Sequence, residues 1–303
     1  MLGLLLGCFA LGALARRVSS IPRETPKVLN AWVLNVSLPA LVLKAVHAVP
    51  LESRFLVGAA VLWALFGVAA LLAVIAVRRG WASREVAGAL ALSVGLGNTA
   101  FVGVPLVELL GGPEAIGPAV MFDQLGSFLV FAAGALPFAM AFGGAQARAA
   151  VVVKRVLTFP PFLALALALL LRPVAFPREV DAVLTRFADM LTPLALVSVG
   201  WQLELAGLTG NRVKLLGALA WKLGVAPAVM LGVLLATSGG ALTLTDRVAV
   251  AQAAMAPMVT AAVLAAEYRL AAPLSAALAA VGAIASFATV SGWWALTGRF
   301  LAR

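Results

Sequence analysis

Apolar residues in this chain run in long blocks, separated by short polar connections, with no sustained alternation of period two. Ten blocks stand out, at 2–15, 28–49, 55–77, 86–108, 116–142, 156–171, 183–205, 213–236, 248–267 and 273–296. A helix needs about 20 apolar residues to cross a bilayer. The pattern therefore predicts an all-α integral membrane protein with ten transmembrane helices. The first block is short, so Arg16 and Arg17 snorkel at its end or the chain begins further upstream. The longest polar connection, 143–155, separates a first set of five spans (1–142) from a second (156–303) and reads as a cytoplasmic linker. Five is odd, so the second set enters the membrane from the opposite side. Two inverted five-helix repeats follow. Leu38-Pro39-Ala40-Leu41-Val42 in span 2 and Thr192-Pro193-Leu194-Ala195-Leu196 in span 7 support the repeat weakly.

Stronger support comes from two chain-breaking spots. Gly97-Asn98 and Ala256-Pro257 each fall near the centre of a block, and the two blocks, spans 4 and 9, hold matching places in the two halves. Glycine loosens the backbone; proline removes a donor and clashes with the preceding turn. Lipid tolerates unpaired backbone only where protein or a water-lined cavity satisfies it. A matched pair of broken helices points to a transporter binding site. The expectation is that helices 4 and 9 break and cross at the midplane, exposing helix N-termini at Asn98-Thr99 and at Met258, Val259 and Thr260. Such ends favour an anion. The bland alternative is a pair of kinked helices that only pack closely.

Polar residues near the breaks extend the candidate substrate site of Gly97, Asn98, Thr99, Pro257, Met258 and Thr260. Asp123 and Gln124 lie deep in span 5, Gln252 lies one turn before the span 9 break, and Lys222 lies inside span 8. Gln124 is placed with the substrate. Asp123, Gln252 and Lys222 are candidates for coupling or charge compensation, because an intramembrane ionisable group is costly without a function. Each also has a structural reading: a local pair for Asp123, a packing hydrogen bond for Gln252, snorkelling for Lys222. Lys44, nearer the outer end of span 2, reads as a snorkelling lysine. Trp293-Trp294 and Tyr268 read as interfacial anchors.

Composition agrees with the membrane reading: 63% of residues are hydrophobic, 11% are charged, and mean hydropathy is +1.08. The net charge of +10 does not indicate nucleic acid, because the basic residues form short clusters between apolar blocks rather than one stripe. In the first half those clusters follow the odd spans almost exclusively. The positive-inside rule then places both termini outside. One cysteine, Cys8, excludes an internal disulfide, and one histidine, His47, leaves no two-histidine zinc site and no ordinary Ser–His pair. No metal site and no cofactor are expected, and an enzyme is disfavoured.

Three segments resemble the auxin efflux carrier family, in a bacterial form, within the wider group that includes the bile acid carriers. They are Asn35-Val36-Ser37-Leu38-Pro39-Ala40-Leu41, Gly97-Asn98-Thr99-Ala100-Phe101-Val102-Gly103-Val104-Pro105-Leu106, and Ala253 to Pro257 with Val263 to Tyr268. The resemblance implies a scaffold of helices 1, 2, 6 and 7. A mobile domain of helices 3–5 and 8–10 carries the crossing of helices 4 and 9. It implies transport of organic anions: auxin in plant members, small carboxylates such as malate and malonate in bacterial ones. A homodimer through helices 2 and 7 and a bacterial inner-membrane location are further implications. Two departures affect the site. Ala256 stands where the family usually has proline, and Gly97 stands where plant members have proline before the asparagine. The leading reading is a permease for a small organic anion working by an elevator-like movement. The alternative is a sodium-coupled symporter of bile-acid-carrier type, with a cation among Asp123, Gln124, Gln252, Asn98 and Thr260. A channel or a structural membrane protein lacks any supporting motif.

Overall fold

The structure, a computed structural model, describes residues 2–146, 149–203 and 212–301. All regular structure in these residues is helical apart from two isolated backbone bridges. The helices are α1 (Leu2–Ala15), α2 (Thr25–Ala48), α3 (Arg54–Arg78), α4 (Arg84–Gly95), α5 (Thr99–Gly111) and α6 (Pro113–Phe142). They continue with α7 (Ala149–Leu157), α8 (Pro160–Leu170), α9 (Arg178–Trp201), α10 (Arg212–Thr237), α11 (Leu244–Ala253), α12 (Val259–Glu267) and α13 (Ala272–Thr297). Six of these segments, α2, α3, α6, α9, α10 and the one containing α13, are long and apolar enough to cross a membrane alone. The bent pair α7–α8 makes a seventh. Leucines on their outer faces stay exposed, among them Leu56, Leu71, Leu163, Leu170 and Leu216. Such surface suits lipid and would be a liability in water.

Local chemistry sets the helix ends. Ser83 caps α4 by accepting from the Val86 N–H, and Thr243 and Asp246 form a reciprocal capping box on α11. Block 156–171 corresponds to α8, and α7 meets it at a bend of 59°, because Pro160-Pro161 cannot continue α7. Helix α7 also occupies the second half of the segment read as a linker.

Among the described residues five wide turns, with bonds from residue i to i−5, interrupt the long helices at Val33–Ser37, Thr99–Gly103, Asp123–Phe128, Val130–Ala135 and Trp221–Val225. Four of them end two residues before a proline: Pro39, Pro105, Pro137 and Pro227. A proline ring clashes with the carbonyl four residues back and offers it no donor. Widening the turn lets the residue before the proline bond one carbonyl further back, as Val104 N does to Thr99 O.

The helices pack in two groups. Helix α1 lies along the second half of α9, and α2 packs on α8 and on α9. Helices α3, α4, α6, α10, α11, α12 and α13 pack mainly among themselves. The α1–α9 contact rests on glycine: a Cβ at Gly12 would strike the Val197 carbonyl, and one at Gly200 would strike the Phe9 carbonyl. One expectation is refined and another corrected here. Lys44 keeps its head partly exposed and there pairs with Asp181 at 3.3 Å and bonds the Thr185 hydroxyl. The tryptophan pair is not a lipid anchor: Trp294 is buried with the Arg247 guanidinium 4.0 Å from its ring centre, and Trp293 donates to the Leu223 carbonyl at 2.9 Å.

Candidate functional site

Helix α4 ends at Gly95 and α5 begins at Thr99; α11 ends at Ala253 and α12 begins at Val259. The two intervening strands lie antiparallel, with Gly97 opposite Pro257. Asn98 N–H donates to the Ala256 carbonyl at 2.8 Å, and Met258 N–H donates to the Leu96 carbonyl at 3.1 Å. These bonds satisfy backbone groups that the breaks would otherwise leave bare in an apolar interior. Both strands are buried. The approach needs small neighbours: a Cβ at Gly282 of α13 would lie 2.5 Å from Pro257 Cδ.

A cavity of about 250 Å³ adjoins this crossover. Its polar lining is Asn30, Asn98, Asp123, Arg155, Gln202 and Thr260; its walls include Phe101, Phe128, Phe131, Phe159, Met258 and Val259. The first residues of α5 and of α12 therefore both face it. Their leading N–H groups have no partner within their own helices. The Asn98 side-chain amide makes no hydrogen bond among the described residues and is 5% exposed. Asp123 accepts from Thr99 Oγ1 at 2.5 Å and from Gln124 Nε2 at 2.8 Å, and it has no ion-pair partner among the described residues. Gln124 Oε1 is buried and has no hydrogen-bond partner among the described residues. A larger groove of about 400 Å³, between α9 and helices α12–α13, is lined almost wholly by apolar residues and contains no ionisable side chain. The ionisable side chains gather at the smaller cavity.

The structure thus brings Asn98, Asp123, Met258 and Thr260 onto one cavity, with Thr99 and Gln124 directly behind Asp123. Gly97 and Pro257 form the bridge and do not line the cavity. Gln252 turns away: its amide donates to the Ala119 carbonyl at 3.0 Å and the Thr99 carbonyl at 3.3 Å, so it fastens α11 to α6 and α5. Lys222 is 3% exposed and lies against Gly97, outside the cavity.

Three lining residues escaped the sequence reading. Arg155 counted only as a loop charge, yet α7 carries it to the cavity, where its guanidinium lies 5.3 Å from the Phe131 ring centre. Asn30 and Gln202 join through Ser198, whose hydroxyl donates to Asn30 Oδ1 at 2.6 Å and receives Gln202 Nε2 at 3.0 Å. Each is a lone polar residue within or at the edge of an apolar block, and that isolation was the available signal.

Comparison with known proteins agrees with this architecture. The family model described as membrane transport protein matches residues 4–294. A protein of Methanothermobacter thermautotrophicus, described as an uncharacterized transporter, is 26% identical over 289 residues, covering 93% of each chain. The match spans nearly the whole chain, crossover and cavity included. The chain belongs to this membrane transport family, the auxin efflux carrier family, and is a multi-pass membrane transporter.

Proposed function

We propose that the protein is a secondary active permease for a small organic anion, a carboxylate with an apolar body. The observation that carries this is the convergence of two helix N-termini and Arg155 on one cavity with aromatic walls. Each helix end contributes about 0.3–1 kcal/mol toward an anion. A hydrogen bond to a charged group contributes roughly 1.5–3 kcal/mol, so Arg155 is the dominant attraction. Asn98 and Thr260 orient the carboxylate, and the phenylalanines take its apolar part. The broken helices α4–α5 and α11–α12 each count as one span, which gives ten spans in two inverted sets of five, 1–142 and 156–303. Both termini are outside the bacterial inner membrane. The group of α1, α2, α8 and α9 is the fixed scaffold, and the other helices move as an elevator. Homodimers form through α2 and α9.

Asp123 shapes the coupling. A substrate carboxylate and an ionised Asp123 in one small cavity repel, and like charges at such range hold a proton between them. The anion therefore travels with a proton on Asp123. The sodium-coupled reading has less support, because Gln252 is committed to two backbone carbonyls and does not join Asp123 in a cage.

A thermal-shift screen of the purified protein against mono- and dicarboxylates tests the cargo. A ligand at about 100 times its Kd adds about 2.7 kcal/mol of stability. Asn98→Ala should weaken the stabilising carboxylate by about 3–10-fold, the value of one lost hydrogen bond. A protein that unfolds identically with every carboxylate tried would count against an anion site. The pH arm follows from linkage: if binding takes up one proton, affinity falls by up to about tenfold per pH unit as pH rises. The range pH 6–8 keeps ordinary carboxylate ligands ionised throughout. Asp123→Asn should bind with no such slope, and a slope unchanged in that variant rules Asp123 out as the proton carrier.

A further inference from the structure

Lys222 sits on the wide turn Trp221–Val225 of α10, buried, with no acidic partner among the described residues. A buried ammonium in that position is strongly disfavoured unless something other than a carboxylate compensates it. Its ammonium donates no direct hydrogen bond among the described residues, so what compensates it acts through the field of its surroundings. A Cβ built on Gly97 would lie 3.2 Å from Lys222 Nζ and 3.5 Å from the Gln252 carbonyl oxygen. The ammonium is therefore lodged where α4 and α11 both end. The last carbonyls of a helix lack intrahelical donors and carry its negative end. Around Gly97 two such ends converge. At the end of α11 the Gln252 carbonyl accepts a long bond from Met255 N–H, at 3.3 Å. Gly97 has no side chain to keep the ammonium away.

We propose that Lys222 is the resident counter-cation of the crossover. The N-terminal ends of α5 and α12 face the cavity and attract the substrate. The C-terminal ends of α4 and α11 are neutralised by the lysine. A covalently attached ammonium does for the carbonyl ends what a bound metal cation would otherwise do, so the folded crossover needs no sodium. This inference rests on the backbone geometry of the crossover and not on the identity of the cargo.

The test compares wild type, Lys222→Met and Lys222→Arg in detergent, by tryptophan fluorescence on heating, in sodium chloride and in choline chloride at equal ionic strength. Wild type should unfold at the same temperature in both salts. Lys222→Met keeps the length of the stem and loses the charge; it should unfold several degrees lower in choline chloride, and Lys222→Arg should recover most of the loss. A methionine variant as stable as wild type or more so overturns the proposal, because removing a buried charge without a role relieves desolvation. Wild type stabilised by sodium over choline overturns it equally. Should the methionine variant not fold, recovery of folded protein by arginine supports the proposal; if arginine also fails, the salt comparison on wild type decides. No arm uses a substrate, so failure here leaves the anion cavity standing, and failure of the carboxylate screen leaves Lys222 standing.

Discussion

Arg155→Gln is expected to weaken carboxylate binding by roughly 10–150-fold, the equivalent of about 1.5–3 kcal/mol for a lost charged hydrogen bond. The size follows from the composition of the cavity. Its other attractions are two helix ends and neutral amides and hydroxyls, each worth less. Among the described residues Arg155 is also the one positive side chain that lines it. Glutamine keeps a polar head of similar reach, so the loss measures charge rather than shape. Titration of the stabilising carboxylate against the Tm of each protein reads the change directly. A variant with wild-type affinity would place the anion away from Arg155 and leave its stacking on Phe131 as its whole role. The order of effects is a second check: the loss should exceed that of Asn98→Ala.

Gly200→Val should abolish the stable fold, or lower Tm so far that little folded protein survives purification. Overpacking ordinarily costs about 1–3 kcal/mol, because neighbouring side chains can move aside. Here the obstacle is backbone: the Phe9 carbonyl in α1. Gly12 faces the Val197 carbonyl in the reciprocal arrangement, so the helices touch main chain to main chain at two levels. No rotamer change relieves either contact, and pushing the helices apart forfeits the packing along both. Close approach of this kind is how small residues hold helices together without a hydrophobic driving force. Gly7→Ala is the control. It lies on α1, the helix that Gly200 abuts, and an added Cβ there meets nothing within 4 Å. Its Tm should match wild type or slightly exceed it. Monodispersity by size exclusion and Tm for both variants decide the matter; equal tolerance would mean that α1 is not seated on α9 as described.

Much of this was legible before any coordinates. Blocks 2–15 and 55–77 coincide almost residue for residue with α1 and α3, because apolarity bounded by arginine is nearly all that defines a membrane helix. Both interruptions were visible in Gly97 and Pro257, since these residues act locally. What could not be read were the consequences of tertiary placement. Arg155 lies in a polar connection by sequence, and only the bend at Pro160 aims its helix at the cavity. Gln252 sits one turn from a break, as a site residue would, yet its side chain faces two carbonyls on other helices. Lys44 had a partner 137 residues away in Asp181. The wide turns holding Thr99 and Lys222 were half legible: their prolines, Pro105 and Pro227, were plain, but the rule linking them needed the bonds themselves, and the turn holding Asp123 has no such proline.

The bridge between Gly97 and Pro257 also bears on how the chain is made. Its partners are 160 residues apart in the sequence. While the first half is being synthesised and inserted, the amide of Asn98 and the carbonyl of Leu96 have no counterpart, because Ala256 and Met258 do not yet exist. An interrupted helix in that state is a poor occupant of lipid. The α4–α5 segment lacks these backbone partners until the last fifth of the polypeptide arrives. The crossover is in this sense the last part to be assembled. A ribosome halted before residue 256 would hold a chain whose first half is present in full and whose crossover is still half made.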